Sequence, residues 1–215
     1  MLCIFCGRFS DALLCPLCSE ELQKQSYAYR FSGRCPTCSR PLQDVAYPCP
    51  FCLKGFQAYG SYTGIVSALL NQFKAGAEKP LSRVFTSLYI PMLATIEKPL
   101  LIPIPASKKG FSDRGFDQML LICRMLTKRI GYPSLRLLVQ KGEGQSKFLS
   151  LAERKERHTL TLLPLDTRVR TYKDAGHTFV LLDDICTSGS TLATGRALLA
   201  QGYGIEARSL VIAMV

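Results

Sequence analysis

Residues Val180–Thr191 read VLLDDICTSGST, and the rest of the chain is organised around this segment. The apolar run Phe179–Leu182 has the length and composition of a buried strand. Gly189 marks the change from strand to helix period, and Leu192–Ala200 continues as a helix. A loop of small residues opening a helix presents unpaired backbone N–H groups at the positive end of the helix dipole, where a phosphate can be cradled. Asp183 and Asp184 then stand at the carboxyl end of the strand, the edge at which open α/β sheets bind ligands. There they can accept hydrogen bonds from sugar hydroxyls or hold a magnesium ion. A plain strand-to-helix turn with an Asx cap is the alternative for the acidic pair alone. A Walker A loop does not fit, because no Gly-Lys-Ser/Thr follows the glycine.

Outward from this segment, short apolar runs alternate with helical patterns. Phe56–Tyr62 reads as a strand, and Thr63 is placed to cap a helix with Ile65, Val66, Leu69, Leu70 and Phe73 on its apolar face. A second helix follows Pro80, with Leu81, Val84, Phe85, Leu88 and Met92 on one side. Leu100–Ile104 is a buried strand, Arg114–Ile130 a helix, Leu135–Val139 a strand and Ala207–Met214 a final strand. This alternation predicts an α/β fold with a mostly parallel sheet flanked by helices and ligands at its carboxyl edge.

At 215 residues the chain can bury one full domain and a small accessory unit. With 47% hydrophobic and 20% charged residues it is globular in composition. No apolar stretch approaches the ~18 residues needed to cross a bilayer. The first residues lack the basic start and apolar core of a secretory signal, so a cytoplasmic location is expected. The net charge of +11 points to polyanionic partners, a pyrophosphorylated substrate or nucleic acid.

Eight of the ten cysteines form four Cys-x-x-Cys pairs: Cys3 and Cys6, Cys15 and Cys18, Cys35 and Cys38, Cys49 and Cys52. Two sulfurs at this spacing reach one tetrahedral zinc, and four close a structural site. A redox dithiol needs a single pair in a βαβ context and does not account for four in a row. Neighbouring pairs are expected to share a metal, giving two zinc sites; an interleaved arrangement is the alternative. Residues 1–54 are too poor in large apolar side chains to fold without such a staple, which makes them a zinc-binding module preceding a domain over 55–215. Within the module, Tyr27, Tyr29, Arg30, Phe31 and Arg34 interleave aromatic and basic residues, a composition that suits single-stranded nucleic acid and serves equally as structural filler. Cys123 lies on an apolar helical face and reads as core.

Two further segments fit a phosphate ligand. In IPIPASKKGFSDRGFDQ, Ile102–Gln118, two prolines flank Ile104 and stiffen the strand exit, while Ser107, Lys108, Lys109 and Gly110 offer donors and positive charge. KGEGQSKFLSLAERKER, Lys141–Arg157, is basic and contains two glycines, as a segment closing over a diphosphate would; Lys141 and Arg154 are its candidate contacts. A basic surface turn and a surface hairpin are the plain alternatives.

The VLLDDICTSGST string resembles the phosphoribosyl pyrophosphate (PRPP) motif of type I phosphoribosyltransferases. On that resemblance Asp183 and Asp184 face the ribose hydroxyls, and Thr187, Ser188, Gly189, Ser190 and Thr191 surround the 5-phosphate. Together with the Cys-x-x-Cys pairs, YTGIVSALLNQFKAG, IPIPASKKGFSDRGFDQ and GQSKFLSLAERKER, nearly the whole chain resembles the ComF family. The resemblance implies a zinc-finger module on a type I phosphoribosyltransferase domain and a link to natural competence, the uptake and use of single-stranded DNA. It also implies PRPP bound with magnesium, pyrophosphate held by Ser107, Lys108, Lys109, Lys141 and Arg154, and pentosyl transfer to an unidentified acceptor. Where that family commonly has Arg-Gly-Phe-Asn-Gln, this chain has Asp117 in place of the amide. Two other roles fit the same features: a non-catalytic adaptor binding single-stranded DNA and a DNA-uptake helicase, and a zinc-ribbon regulator responsive to PRPP.

Overall fold

The computed structural model describes residues 1–31, 55–140, 160–164 and 166–215. Its elements are α1 (Pro16–Lys24), α2 (Tyr27–Arg30), β1 (Phe56–Ser61), α3 (Gly64–Lys74), α4 (Ser82–Leu93), β2 (Pro99–Pro103), α5 (Lys108–Arg114), α6 (Gln118–Ile130), β3 (Leu138–Gln140), β4 (Leu160–Leu162), α7 (Arg168–Asp174), β5 (Thr178–Cys186), α8 (Ser190–Tyr203) and β6 (Arg208–Met214). Four strands form a parallel sheet in the order β1-β6-β5-β2. The expected α/β architecture, a parallel sheet flanked by helices, is the one observed. No helix among the described residues is long and apolar enough to cross a membrane.

The sheet divides the core in two because side chains alternate along each strand. Val180 and Leu182 of β5, with Leu210 and Ile212 of β6, pack under α3, α4 and α6. Phe179 and Leu181, with Val211, face Leu192 and Leu199 of α8, Val169 of α7 and Leu138 and Leu160 of the β3–β4 pair. The apolar faces read from the sequence are the buried ones: Ile65, Val66, Leu69, Leu70 and Phe73 in α3, and Val84, Phe85 and Met92 in α4. Cys123 is wholly buried, as expected of a core residue.

Two boundaries and one helix cap differ from expectation, each for a local reason. The helix expected over Arg114–Ile130 is two helices, because Gly115 ends α5 in the left-handed region (φ 73°) and Asp117 caps α6 by accepting from Leu120 N at 3.0 Å. The strand expected over Leu135–Val139 begins only at Leu138. Ahead of it, Ser134 makes a single parallel bridge to Leu101, and Leu101 N bonds Pro133 O at 2.9 Å, so this segment extends the sheet past β2 for one residue before turning away. Thr63 occupies the N-cap of α3 but makes no side-chain cap bond, closing the first turn through its carbonyl instead.

The N-terminal residues are built onto the sheet. Leu14, Cys18 and Leu22 join the same core as α3 and α4. Ser26 bridges Gly60 of the edge strand β1, Tyr59 Oη donates to Leu22 O at 3.0 Å, and Arg30 Nη1 bonds Ser61 Oγ at 3.2 Å. Contact is so close that a Cβ on Gly60 would sit 2.5 Å from Gln25 O. The segment around residues 22–30 thereby covers an edge that would otherwise offer unpaired backbone groups.

Candidate functional site

Three helices on one face of the sheet converge on the acidic pair of β5. Lys74 ends α3, and its Nζ lies 2.7 Å from Asp184 Oδ1. Gln118 opens α6, and its Nε2 donates to Asp184 Oδ2 at 3.0 Å. Tyr89 of α4 donates its hydroxyl to the carbonyl of Asp183. The reach continues to α5: Arg114 Nη2 donates to Gln118 Oε1 at 2.6 Å, and a Cβ on Gly110 would lie 2.7 Å from that Nη2, so glycine there leaves room for the guanidinium. Asp184 is buried, with 5% of its side chain exposed, and Lys74 is 30% exposed. Asp183 is half-buried, and its Oδ1 accepts from Asp184 N at 2.9 Å. Burial pushes the Asp183 carboxyl well above the usual carboxylate range and the neighbouring Asp184 charge adds to this; the bond from Asp184 N and the Lys74 ammonium oppose it.

Beyond the acids, β5 runs on to Cys186 because it stays paired with β6 as far as Met214. Thr187, Ser188 and Ser190 are exposed, with Gly189 and Thr191 half-buried between and behind them. Gly189 is the N-cap of α8 at φ 76°, a conformation side chains disfavour, and being glycine it supplies no capping oxygen. Among the described residues, the side-chain oxygen that reaches the first turn is Ser188 Oγ, 3.4 Å from Ser190 N and 3.0 Å from Ser190 Oγ. The helix start is thus a loop of hydroxyls and backbone amides next to two carboxylates.

At the exit of β2, Ile104 N bonds Leu182 O at 2.9 Å, which ties this loop to the base of the acidic segment. Ser107 is not an open loop residue: it caps α5, accepting from Gly110 N at 3.0 Å. Lys108 and Lys109 follow in the first turn, exposed and without an ion pair among the described residues. Asp117 holds the two ends of this segment together, since its Oδ2 accepts from Ala106 N at 3.0 Å while its Oδ1 caps α6. The charge that departs from the family pattern therefore has a structural use. Lys141 and Arg154 lie outside the described residues.

The sulfurs of Cys3, Cys6, Cys15 and Cys18 all lie within 4.8 Å of one another, with Cys6 and Cys15 at 3.7 Å. A tetrahedral zinc with ~2.3 Å bonds to sulfur separates its ligands by about 3.8 Å, so the cluster fits one zinc ion. The first two knuckles come together as one candidate metal site, as the short gap between them predicts; Cys35, Cys38, Cys49 and Cys52, the expected second site, lie outside the described residues. Cys3, receiving backbone hydrogen bonds that outweigh its desolvation only in sum, has its thiol lowered to about 6 from 9.0. Burial and the neighbouring sulfurs push the Cys18 thiol up.

The aromatic–basic stretch of the module is largely spoken for. Tyr27 is buried, stacks on Phe31 at 5.4 Å between ring centroids and accepts from Ser61 Oγ at 2.9 Å. Arg30 is bonded to Ser61. Tyr29, 56% exposed, is the ring of this stretch left open to solvent among the described residues. The filler reading, not the nucleic-acid one, accounts for Tyr27.

The sequence had flagged none of Lys74, Tyr89 or Gln118 as site residues, although Lys74 and Gln118 lie in two of the strings on which the family resemblance rests.

The fold and the site define an α/β protein with a parallel sheet, an acidic strand end followed by a small-residue loop, and a four-cysteine module docked on the sheet edge. No family model matches the chain. Competence protein ComFC of Bacillus subtilis (strain 168) is 28% identical over 145 residues, covering 67% of this chain and 52% of that protein. The chain thus spans about half the length of the curated relative it matches. This homology, with the cysteine cluster, supports placing the chain in the ComF family.

Proposed function

We propose that the chain is a competence-associated ComF-type protein that binds PRPP with magnesium at the carboxyl edge of its sheet and transfers the phosphoribosyl group to an acceptor. The observation that carries this reading is the convergence of α3, α4 and α6 on Asp183 and Asp184, directly before an amide-rich helix start. In it, the carboxylates accept from the ribose hydroxyls, and Thr187–Thr191 surround the 5-phosphate with hydroxyls and the α8 amides. Ser107, Lys108 and Lys109 supply donors and charge to the diphosphate. Departure of pyrophosphate from the anomeric carbon leaves an oxocarbenium-like centre whose developing positive charge the acidic pair, led by the ion-paired Asp184, offsets. Magnesium, when bound with PRPP, neutralises the diphosphate.

Isothermal titration of the zinc-loaded protein with PRPP and magnesium, beside Asp183→Ala/Asp184→Ala, tests the reading. Micromolar binding that the variant loses is expected. Absence of binding to the unaltered protein overturns it and leaves the adaptor role, with single-stranded DNA and a DNA-uptake helicase as partners. That role predicts a steeply salt-dependent affinity for DNA.

A further inference from the structure

Resting on the PRPP reading, we infer that Lys74 is a positioning residue that assigns the two carboxylates different duties, reserving Asp184 for a ligand hydroxyl and withholding it from a metal ion. An ionised carboxylate has about four acceptor positions on two oxygens. Lys74 takes one on Oδ1 and Gln118 one on Oδ2, each from a different helix and each at hydrogen-bond distance. These two bonds fix the plane of the carboxylate and offset part of its charge. The lone pairs left over can still accept a hydroxyl proton. A divalent cation has far less to gain there, because it would share the carboxylate with the Lys74 ammonium, be repelled by it and compete with it for the same charge. Gln118 is itself held by Arg114, so the arrangement extends from α3 through β5 to the end of α5, the helix whose first turn carries Lys108 and Lys109.

Magnesium on this account enters as the PRPP complex, carried by the ligand's own oxygens, and does not load onto the free acidic pair. Lys74→Met removes the ammonium and should turn the pair into a cation site. Lys74→Arg keeps the charge and the bond to Asp184.

The test uses the zinc-loaded full chain and two titrations, PRPP with saturating magnesium and manganese alone followed by paramagnetic relaxation. Lys74→Met is expected to weaken PRPP binding about tenfold, as loss of a charge-assisted contact that orients an acceptor does. It is also expected to gain a manganese site absent from the unaltered protein. Lys74→Arg should restore the PRPP affinity and abolish the manganese site, which a residue needed only for folding would not do. Unchanged PRPP affinity in Lys74→Met, or no gain of manganese binding, overturns the inference. If the unaltered protein binds no PRPP at all, the functional reading fails, and the manganese titrations still decide the role of Lys74.

Discussion

Breaking the Lys74–Asp184 pair should cost far more than breaking a surface ion pair, and the two single costs should not add when both partners are removed. The contact is 2.7 Å long, and its acid is 5% exposed. Removing the lysine leaves a buried carboxylate with, among the described residues, one remaining side-chain donor, Gln118. Stripping one partner from a buried pair typically costs 3–5 kcal/mol; with Lys74 30% exposed, water can partly replace the ammonium, so Lys74→Met is expected near the lower end, about 3 kcal/mol. Asp184→Asn leaves no buried charge behind, since the lysine can turn to solvent, and should cost roughly 1–2 kcal/mol. The double variant sets a neutral amide beside an apolar chain, with Gln118 still in place, and should be less destabilised than the two single costs together by about 2–3 kcal/mol. Urea unfolding of the four zinc-loaded proteins, compared at equal slope, measures this coupling. Additivity within about 0.5 kcal/mol would refute the argument that the carboxylate depends on the ammonium for its burial.

Three more outcomes follow from the geometry. Asp117→Asn, which restores the amide common in the family, should destabilise by about 1 kcal/mol, because one carbonyl oxygen cannot match the separate acceptors now serving Ala106 N and Leu120 N; thermal unfolding checks this. Gly110→Ala puts a Cβ 2.7 Å from Arg114 Nη2 and 3.0 Å from the capping Ser107 Oγ, and should push the guanidinium off Gln118 and loosen the cap, lowering PRPP affinity several-fold while thermal stability falls by about 1 kcal/mol, since the atoms displaced are the ends of side chains. Zinc binding at pH 7.5 should release protons, because the Cys18 thiol is held protonated by its surroundings, whereas Cys3, lowered to about 6, is already a thiolate and gives up little. Calorimetry in buffers of different ionisation enthalpy reads this directly, and heats independent of buffer would count against it.

The parts of this molecule that were legible in the sequence are those governed by local pattern. The strand before Asp183, the small-residue helix start and the clustering of the first two cysteine knuckles each depend on residues close together in the chain, Cys3 to Cys18 being the longest of these spans. What escaped was set by partners far away in the chain. A lysine at the end of an apolar helix looks like an ordinary partner for the helix dipole, and nothing near Lys74 shows that it meets Asp184. Gln118 looks like the polar start of a helix until α6 is laid against β5. Leu135–Val139 has the composition of a strand, but Pro133–Leu135 finds only a single bridge position beside Leu101, and pairing begins afresh at Leu138 with β4. Tyr27 and Tyr29 are equivalent in sequence, and only the docking of α2 on β1 separates a buried ring from an exposed one.

The seat of the cysteine module on β1 also fixes an order of assembly. Among the described strands of the sheet β1 pairs with β6 alone, and β6 is the last of them to be synthesised. At roughly 5–20 residues per second, the ribosome needs on the order of ten to thirty seconds between completing β1 and completing β6. The module is therefore made early and given its landing place late. In that interval no finished sheet shields its thiols, and early capture of a metal ion would keep them from stray oxidation.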